Sequence, residues 1–257
     1  MNAVQSLSLV DLALATVLVL IAGALSLALR LGIGRTLLVA TVRTVAQLGL
    51  IGLVLERIFD LAAAWPVALI LVLMTLFAGR EAAARTRHRY RFAMFDAWLA
   101  MAAVGLVVGA IVTQIVVGVT PWYNPQYIIP LVGMILGNSL NGVSLCLDRF
   151  LNHVHERRPE IELVLAFGAT RREALRTPLA DAVRTGLTPI IQAMAGAGIV
   201  SLPGMMTGQI LSGTPPLQAV AYQIVVMFML AAATALGTIF VAALAARRVM
   251  APDGMLR

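Results

Sequence analysis

The apolar residues of this chain fall into long, nearly uninterrupted runs that are separated by shorter polar stretches. About 20 apolar residues in a helix are needed to cross the hydrocarbon core of a bilayer, because each residue adds 1.5 Å. Seven runs approach or exceed this length, and they predict seven membrane-spanning helices. The predicted spans are 9–29, 36–55, 64–79, 95–119, 128–147, 183–201 and 217–246.

The density of arginine alternates from one predicted loop to the next. Clusters follow the first, third, fifth and seventh runs, whereas the loops at 120–127 and 203–216 contain no arginine. Loops that remain on the cytoplasmic side of a membrane carry the excess of basic residues. The sequence therefore predicts one all-α, polytopic helix bundle over residues 1–257, with the N-terminus outside and the C-terminus inside.

The composition supports this class and excludes others. Of 257 residues, 60% are hydrophobic and only 12% are charged, whereas soluble domains carry about 25% charged residues. The net charge of +7 comes from 19 basic residues that are all arginine, and they lie at the ends of apolar runs, so we expect no nucleic-acid partner. A phosphate-binding Walker A loop requires a lysine, so the chain is not itself such an ATPase.

One polar segment, residues 156–177, lies between the fifth and sixth runs. It reads E-R-R-P-E-I-E-L-V-L-A-F-G-A-T-R-R-E-A-L-R-T, with charges concentrated at both ends. Gly168 and Ala169 predict a bend, and Pro178 predicts the end of the helical pattern. The residues alone leave two interpretations open: an amphipathic helix at the membrane interface, or a docking surface for a soluble partner on the cytoplasmic side.

The residues of this segment resemble the coupling segment of ABC transporter permeases. The resemblance rests on Glu162, Gly168-Ala169-Thr170, Glu173-Ala174, Arg176 and Pro178. It extends to R-T-V-A-Q-L at 43–48, P-L-V-G-M-I-L-G-N-S-L-N at 130–141, S-L-P-G-M-M-T-G-Q-I-L at 201–211 and A-Y-Q-I at 221–224. Together these stretches are similar to the FetB-type iron-export permeases and their plant relatives linked to aluminium tolerance, over nearly the whole chain.

The resemblance implies a multi-pass permease of a prokaryotic cytoplasmic membrane, without catalytic residues of its own. Two copies would form the pathway for iron or a related cargo. Two cytosolic ATPase subunits would bind the 156–177 segments from the cytoplasmic side of the membrane. ATP and Mg would be held by the ATPase, so no cofactor is expected in this chain. The implied coupling residues are Glu162, Leu165, Gly168, Ala169, Thr170, Glu173 and Arg176.

Several polar or sulfur-containing residues fall within or beside the predicted spans and are candidates for the translocation pathway. They are Arg43, Gln47, Asn138, Asn141, Gln192, Met205, Met206 and Gln209. Arg43 and Gln47 share a helical face because they are four residues apart. Arg43 could instead extend to the surface, the asparagines could join helices, and the methionines could pack. The glycines and proline around 203–208 predict a break or re-entrant turn.

Metal ligands are not identifiable from the sequence. All three histidines lie in arginine-rich stretches, and His153 and His155 offer at most a weak inner-gate site. A secondary carrier or channel that works without ATP is the alternative function, although such carriers usually show repeats and ionisable residues at the midplane. An intramembrane enzyme using Ser139 lacks a histidine base within any span.

Overall fold

A computed structural model describes residues 8–61, 63–88 and 90–250, and the described residues form helices and no strand. In chain order the α-helices are α1 (Leu9–Ala28), α2 (Gly34–Leu61), α3 (Ala64–Ala84), α4 (Ala93–Ala110), α5 (Pro125–Glu156), α6 (Arg158–Ala166), α7 (Arg171–Gly196), α8 (Gly204–Leu211) and α9 (Pro216–Val249). A π-helical segment, Ile111–Val116, continues α4. The predicted all-α, polytopic membrane bundle is confirmed.

Six helices in the described part of the chain are long and apolar enough to cross a membrane: α1, α2, α3, α4 with its π-helical continuation, α5 and α9. The predicted span at 183–201 is different, because α7 ends at Gly196 and contains Arg184, Pro178 and Pro189. Its composition is therefore too polar to qualify. Seven spans were predicted and six are found by length and composition, so the outward N-terminus, which requires an odd number of spans, stays a prediction.

Contacts between residues divide the chain into two compact units. One unit contains α1, α2 and the segment Leu211–Gly213. Within it, α1 packs against α2. The loop between these two helices has left-handed backbone at Arg30 (φ 52°) and Gly32 (φ 73°), which lets the chain reverse within five residues. That the chain forms a single domain stays a prediction.

The second unit is built around α5, which packs against α3, α4, α7 and α9. Small residues allow α5 and α7 to approach closely: a Cβ added to Gly186 would lie 2.6 Å from the carbonyl oxygen of Gly142. Buried side chains from four helices fill the adjoining core: Val104, Val108, Leu131, Ile135, Ile190, Val226, Met229, Leu230 and Ala233. The α5–α7–α9 region is therefore tightly packed.

Candidate functional site

The polar segment predicted between the fifth and sixth runs is a helical hairpin made of α6, a four-residue turn and the start of α7. Helix α6 packs against both α5 and α7, and its Ile161 is buried. At the exposed surface of α6, the Arg158 guanidinium donates to the Glu162 carboxylate at 2.8 Å. The hairpin is thus attached to the packed core through one apolar side chain, while its charged side faces outward.

The turn of the hairpin has a well-defined hydrogen-bond pattern. The N–H of Gly168 donates to the carbonyl of Leu165 (2.9 Å), and the N–H of Ala169 donates to that of Val164 (3.3 Å). This pair of bonds is the Schellman motif that ends many helices, and it places the residue after the cap in left-handed backbone. Gly168 has a φ of 91°, so a glycine suits this position for a conformational reason.

Helix α7 begins at once with a reciprocal cap between Thr170 and Glu173. The N–H of Glu173 donates to the Thr170 hydroxyl (3.3 Å), and the N–H of Thr170 donates to the Glu173 carboxylate (2.7 Å). The hydroxyl of Thr170 also donates to that carboxylate. The bonds that the Glu173 carboxylate accepts from the hydroxyl and from the N–H of Thr170 lower the pKa of Glu173. Three of the predicted coupling residues therefore shape the turn, and Leu165 and Ala169 are half-buried beside it.

The hairpin also presents apolar side chains that the predicted site does not include. Phe167 is 84% exposed and Leu163 is 58% exposed. These residues are four apart and therefore share one helical face, on the side away from the buried Ile161. Their spacing could have revealed this face from the sequence.

Arg176, the remaining predicted coupling residue, is exposed on α7 one turn beyond Glu173. The prediction that Pro178 ends the helical pattern is wrong, because Pro178 lies inside α7, which continues to Gly196 and is supported by packing on α5 and α9.

The two predicted pathway asparagines lie on one face of α5, next to each other and to Gly137. Asn138 is half-buried and donates to the carbonyl of Met134 (3.1 Å). Asn141 is exposed and accepts a hydrogen bond from the Arg85 guanidinium (2.9 Å). Arg85 was not predicted to be part of this patch, because it lies 56 residues earlier in the sequence. The patch therefore carries a positive charge as well as amide groups.

The other predicted pathway residues occupy different settings. Gln192 is exposed on α7, and Met206 and Gln209 are half-buried on α8. Met205 packs against the buried core, which agrees with the packing alternative. In the α1–α2 unit, Arg43 and Gln47 are both exposed on α2. That any of these residues lines a pathway stays a prediction.

For the stretch at 203–208 the sequence predicted a break or a re-entrant turn, and a break is present between the end of α7 at Gly196 and the start of α8 at Gly204. Instead of a re-entrant turn, Gly204–Leu211 is a short helix, α8. The turns lie on either side of it, at Gly198 (φ 82°) and Gly213 (φ 96°). Gly204 and Gly208 have no such backbone, so the helix accommodates both.

The loop that follows α3 is attached along the last two and a half turns of α5. The N–H of Arg87 donates to Asp148 (2.8 Å), and His88 shares a hydrogen bond with Asn152 (2.8 Å). The ring of His88 stacks on that of His155, with centroids 4.2 Å apart. His153 instead lies 3.9 Å from Asp181 on α7, so the two histidines considered for an inner-gate site belong to separate contacts.

No group of three or more histidine, cysteine, aspartate or glutamate side chains could hold a metal ion anywhere in the described ranges. The buried Ser139 has no hydrogen-bond partner for its hydroxyl and is fully enclosed. A substrate could not reach this hydroxyl in the described conformation. The structure therefore adds no support for an enzymatic role of Ser139.

A polar cluster at the start of α4 was missed by the sequence analysis. The hydroxyl of Tyr90 donates to the carboxylate of Asp96 (2.7 Å), and Arg248 from the end of α9 lies 3.6 Å from the same oxygen. The Arg248 guanidinium also lies 4.7 Å above the ring of Phe92. Burial, followed by the hydrogen bond to Asp96, raises the pKa of Tyr90. This cluster joins the C-terminal end of α9 to α4.

Comparison with known proteins gives consistent results. Residues 9–250 match the family described as "Uncharacterised protein family (UPF0014)". The chain is 37% identical over 201 residues to the UPF0014 membrane protein slr1647 of Synechocystis, covering 78% of each chain. It is 32% identical over 238 residues to the probable iron export permease protein FetB of Escherichia coli, covering 93% of this chain and 90% of the relative.

A plant relative is also found. The chain is 31% identical over 230 residues to the protein ALUMINUM SENSITIVE 3 of Arabidopsis thaliana, covering 88% of this chain and 82% of the relative. No solved structure matches the chain. The resemblance drawn from the sequence motifs is therefore confirmed at the level of the family.

Proposed function

The chain belongs to the UPF0014 family of multi-pass membrane proteins, and on that premise we propose that it is the permease subunit of an ATP-driven ABC exporter. Two copies form the pathway, and each copy binds one separate cytosolic ATPase subunit. The matching relative named as a probable iron export permease supports iron or a related metal as the cargo. The subunit has no catalytic role; ATP and Mg are held by the ATPase, and the complex resides in a prokaryotic cytoplasmic membrane.

The observation that carries this proposal is the α6–α7 hairpin with its exposed face of Leu163 and Phe167. Large apolar side chains on a charged surface mark sites of protein association, and aromatic side chains are frequent anchors of such interfaces. The hairpin is short, its turn is fixed by hydrogen bonds, and Ile161 attaches it to the core. These features suit a rigid coupling element that transmits the movement of a partner protein to the membrane helices.

The route for that movement starts at α7. This helix has 26 residues, which gives it a length of about 39 Å. It packs against both α5 and α9, and the contact between Gly186 and Gly142 leaves no room for sliding without a change in spacing. A displacement of the hairpin therefore passes along α7 to α5, which carries the Asn138–Asn141 patch. Discrete rearrangement of packed helices is how such coupling spreads.

The pathway for the cargo is proposed to include the eight residues predicted from the sequence. The exposed patch of Asn138 and Asn141 is its best-supported part, because polar side chains within a span usually face protein or a water-filled cavity rather than lipid. Amide oxygens are suitable ligands for a hard cation. Arg85 would repel a bare cation from the same patch, so its position at one end suits a barrier.

The test is binding and hydrolysis with the ATPase from the same organism. We expect the purified chain to bind this ATPase. We also expect that metal stimulates ATP hydrolysis by the complex in vesicles. Phe167→Asp should abolish both the binding and the stimulation. The loss of an exposed ring alone is tested by Phe167→Ala. Its matched control is Phe228→Ala, at a 63% exposed position on α9. Metal flux at an unchanged rate without ATPase would favour the alternative, a carrier or channel.

A further inference from the structure

An apolar slot lies between α3, α4 and α5, within the second unit and apart from the proposed pathway. Its volume is about 560 Å³, and its walls include Thr75, Trp98, Ala102, Trp122 and Val132. Val132 and Asn141 are nine residues apart on α5, which is two and a half helical turns. The slot and the Asn138–Asn141 patch therefore occupy opposite faces of that helix.

The slot is long and narrow rather than round. Its wall on α4 and the π-helical continuation runs from Trp98 to Gln114, a rise of about 24 Å. Small side chains at Ala102, Gly105 and Gly109 leave the space empty along this wall, whereas Trp98 and Trp122 lie toward its two ends. All three helices are long and apolar enough to cross a membrane, so we expect the slot to lie at the depth of the hydrocarbon core.

Polar groups lie toward both ends of the slot: Thr113 and Gln114 at one end and the Trp98 indole at the other. The indole N–H of Trp98 is buried and has no acceptor among the described residues. A buried donor without an acceptor is costly, and tryptophan N–H groups usually find a partner. Gly79 on α3 packs directly against Trp98, since a Cβ there would lie 2.6 Å from the Trp98 Cα. The next residue, Arg80, is exposed and brings a positive charge to the same end.

We propose that the slot binds one acyl chain of an anionic phospholipid, whose phosphate is attracted by Arg80 beside the Trp98 end of the slot. An extended chain fits a narrow apolar space of this length, and the bilayer supplies the ligand directly. Basic residues beside a span attract anionic lipid headgroups. The lipid would hold α3, α4 and α5 together from the side opposite the polar patch.

The test uses quenching of Trp98 fluorescence by phospholipids with brominated acyl chains. A chain carrying Trp65→Phe and Trp122→Phe keeps Trp98 as the sole tryptophan. In vesicles with a small fraction of brominated phosphatidylglycerol, we expect Trp98 to be quenched at least threefold more than with the same fraction of brominated phosphatidylcholine. Arg80→Gln should remove this preference while leaving some quenching.

Filling the slot provides the matched comparison. Ala102→Phe should reduce quenching of Trp98 by more than half, whereas Ala103→Phe, on the same helix but outside the slot, should not. Equal quenching in both variants would overturn the proposal, and so would the absence of quenching in the parent. If quenching is absent and Ala102→Phe instead weakens association between copies, a second chain is the occupant and the lipid is excluded.

A competition measurement uses only the chain with Trp98 as its sole tryptophan. It therefore does not depend on how the Arg80, Ala102 and Ala103 variants fold. Adding unbrominated phosphatidylglycerol should restore Trp98 emission in a saturable way at a constant fraction of brominated lipid. Recovery in simple proportion to dilution would indicate bulk lipid at the surface and would contradict a binding site. This outcome leaves the proposed transport function untouched, because neither measurement involves the ATPase or the cargo.

Discussion

Two glycines, one inside α7 and one in the turn before it, illustrate two different parts of the molecule. Gly186 lies within the packed region of α5, α7 and α9, where a side chain would collide with the backbone of Gly142. Gly168 lies at the hairpin turn, where nothing is within 4 Å of an added Cβ but φ is 91°. The first position is restricted by neighbouring helices and the second by local backbone. We infer a rigid core attached to a hairpin whose outer face is available for a partner.

The largest effect is expected from filling the contact between α5 and α7. Gly142→Ala would bring a methyl group into collision with Thr234 and to 3.0 Å from the carbonyl oxygen of Gly186. Overpacking of this kind costs about 3 kcal/mol of unfolding free energy. Thermal unfolding in detergent should show a lower midpoint. Gly137→Ala on the same helix meets nothing within 4 Å and should be neutral or stabilising by up to about 1 kcal/mol; equal losses for both variants would contradict the packing account.

Removing the exposed ring of the hairpin should affect binding rather than folding. Phe167→Ala is expected to weaken ATPase binding by about 2 kcal/mol, the scale of an interface anchor, which corresponds to roughly thirtyfold in Kd. The midpoint of thermal unfolding should remain unchanged because the ring touches little of its own chain. Titration of the ATPase onto the detergent-solubilised chain measures the binding. A fall in stability with unchanged Kd would place Phe167 in the core region instead.

The polar cluster of Tyr90, Asp96 and Arg248 tests whether the second unit is also held at its ends. The raised pKa of Tyr90 means that the unfolded chain loses this proton at lower pH than the folded chain. Stability from this group is therefore complete below the ordinary tyrosine value of about 10 and declines as pH rises above it. The decline should remain below about 1.4 kcal/mol per pH unit, the limit for one proton, because water partly screens this half-buried hydroxyl. Tyr90→Phe should remove that part of the slope, as denaturant unfolding between pH 9 and 11 would measure.

The smallest effect is expected at the cap of α7. Thr170→Ala removes the hydroxyl that accepts from the N–H of Glu173, at a typical cost of about 1 kcal/mol. Because the loss is local, hydrogen exchange of the amides at 170–173 should accelerate while global unfolding hardly changes. Thr188→Ala, on the same helix, removes a hydroxyl bonded only to the carbonyl of Arg184 and should leave these amides unchanged. Slow exchange in both variants would show that the turn does not depend on the cap.

Local patterns in the sequence were sufficient for much of the fold and part of the site. Long apolar runs predicted six of the spans, and Gly168 and Ala169 predicted the bend between α6 and α7. The cap of α7 at Thr170 and the continuation of this helix through Pro178 were not predicted. The run at 183–201 was harder, because the helix it belongs to starts earlier, at Arg171, and mixes charged with apolar residues.

Contacts between distant residues could not be predicted in this way. Arg85 meets Asn141, and Arg248 meets Asp96, across separations of 56 and 152 residues. Nothing in the neighbourhood of either residue specifies its partner. The short helix α8 was missed for another reason: its glycines suggested a turn, although the residues between them, Met205 to Thr207, are compatible with a helix.

The central claim is that the α6–α7 hairpin lies on the cytoplasmic side of the membrane and is bound by an ATPase subunit. Accessibility of a single cysteine tests it most directly: Ala166→Cys, at the exposed position next to Phe167, in a chain whose buried Cys146 is replaced by Cys146→Ser. We predict that a membrane-impermeant maleimide labels position 166 from the cytoplasmic side of oriented vesicles and that bound ATPase blocks the reaction. Labelling only from the opposite side, or labelling that the ATPase leaves unchanged, would contradict the account.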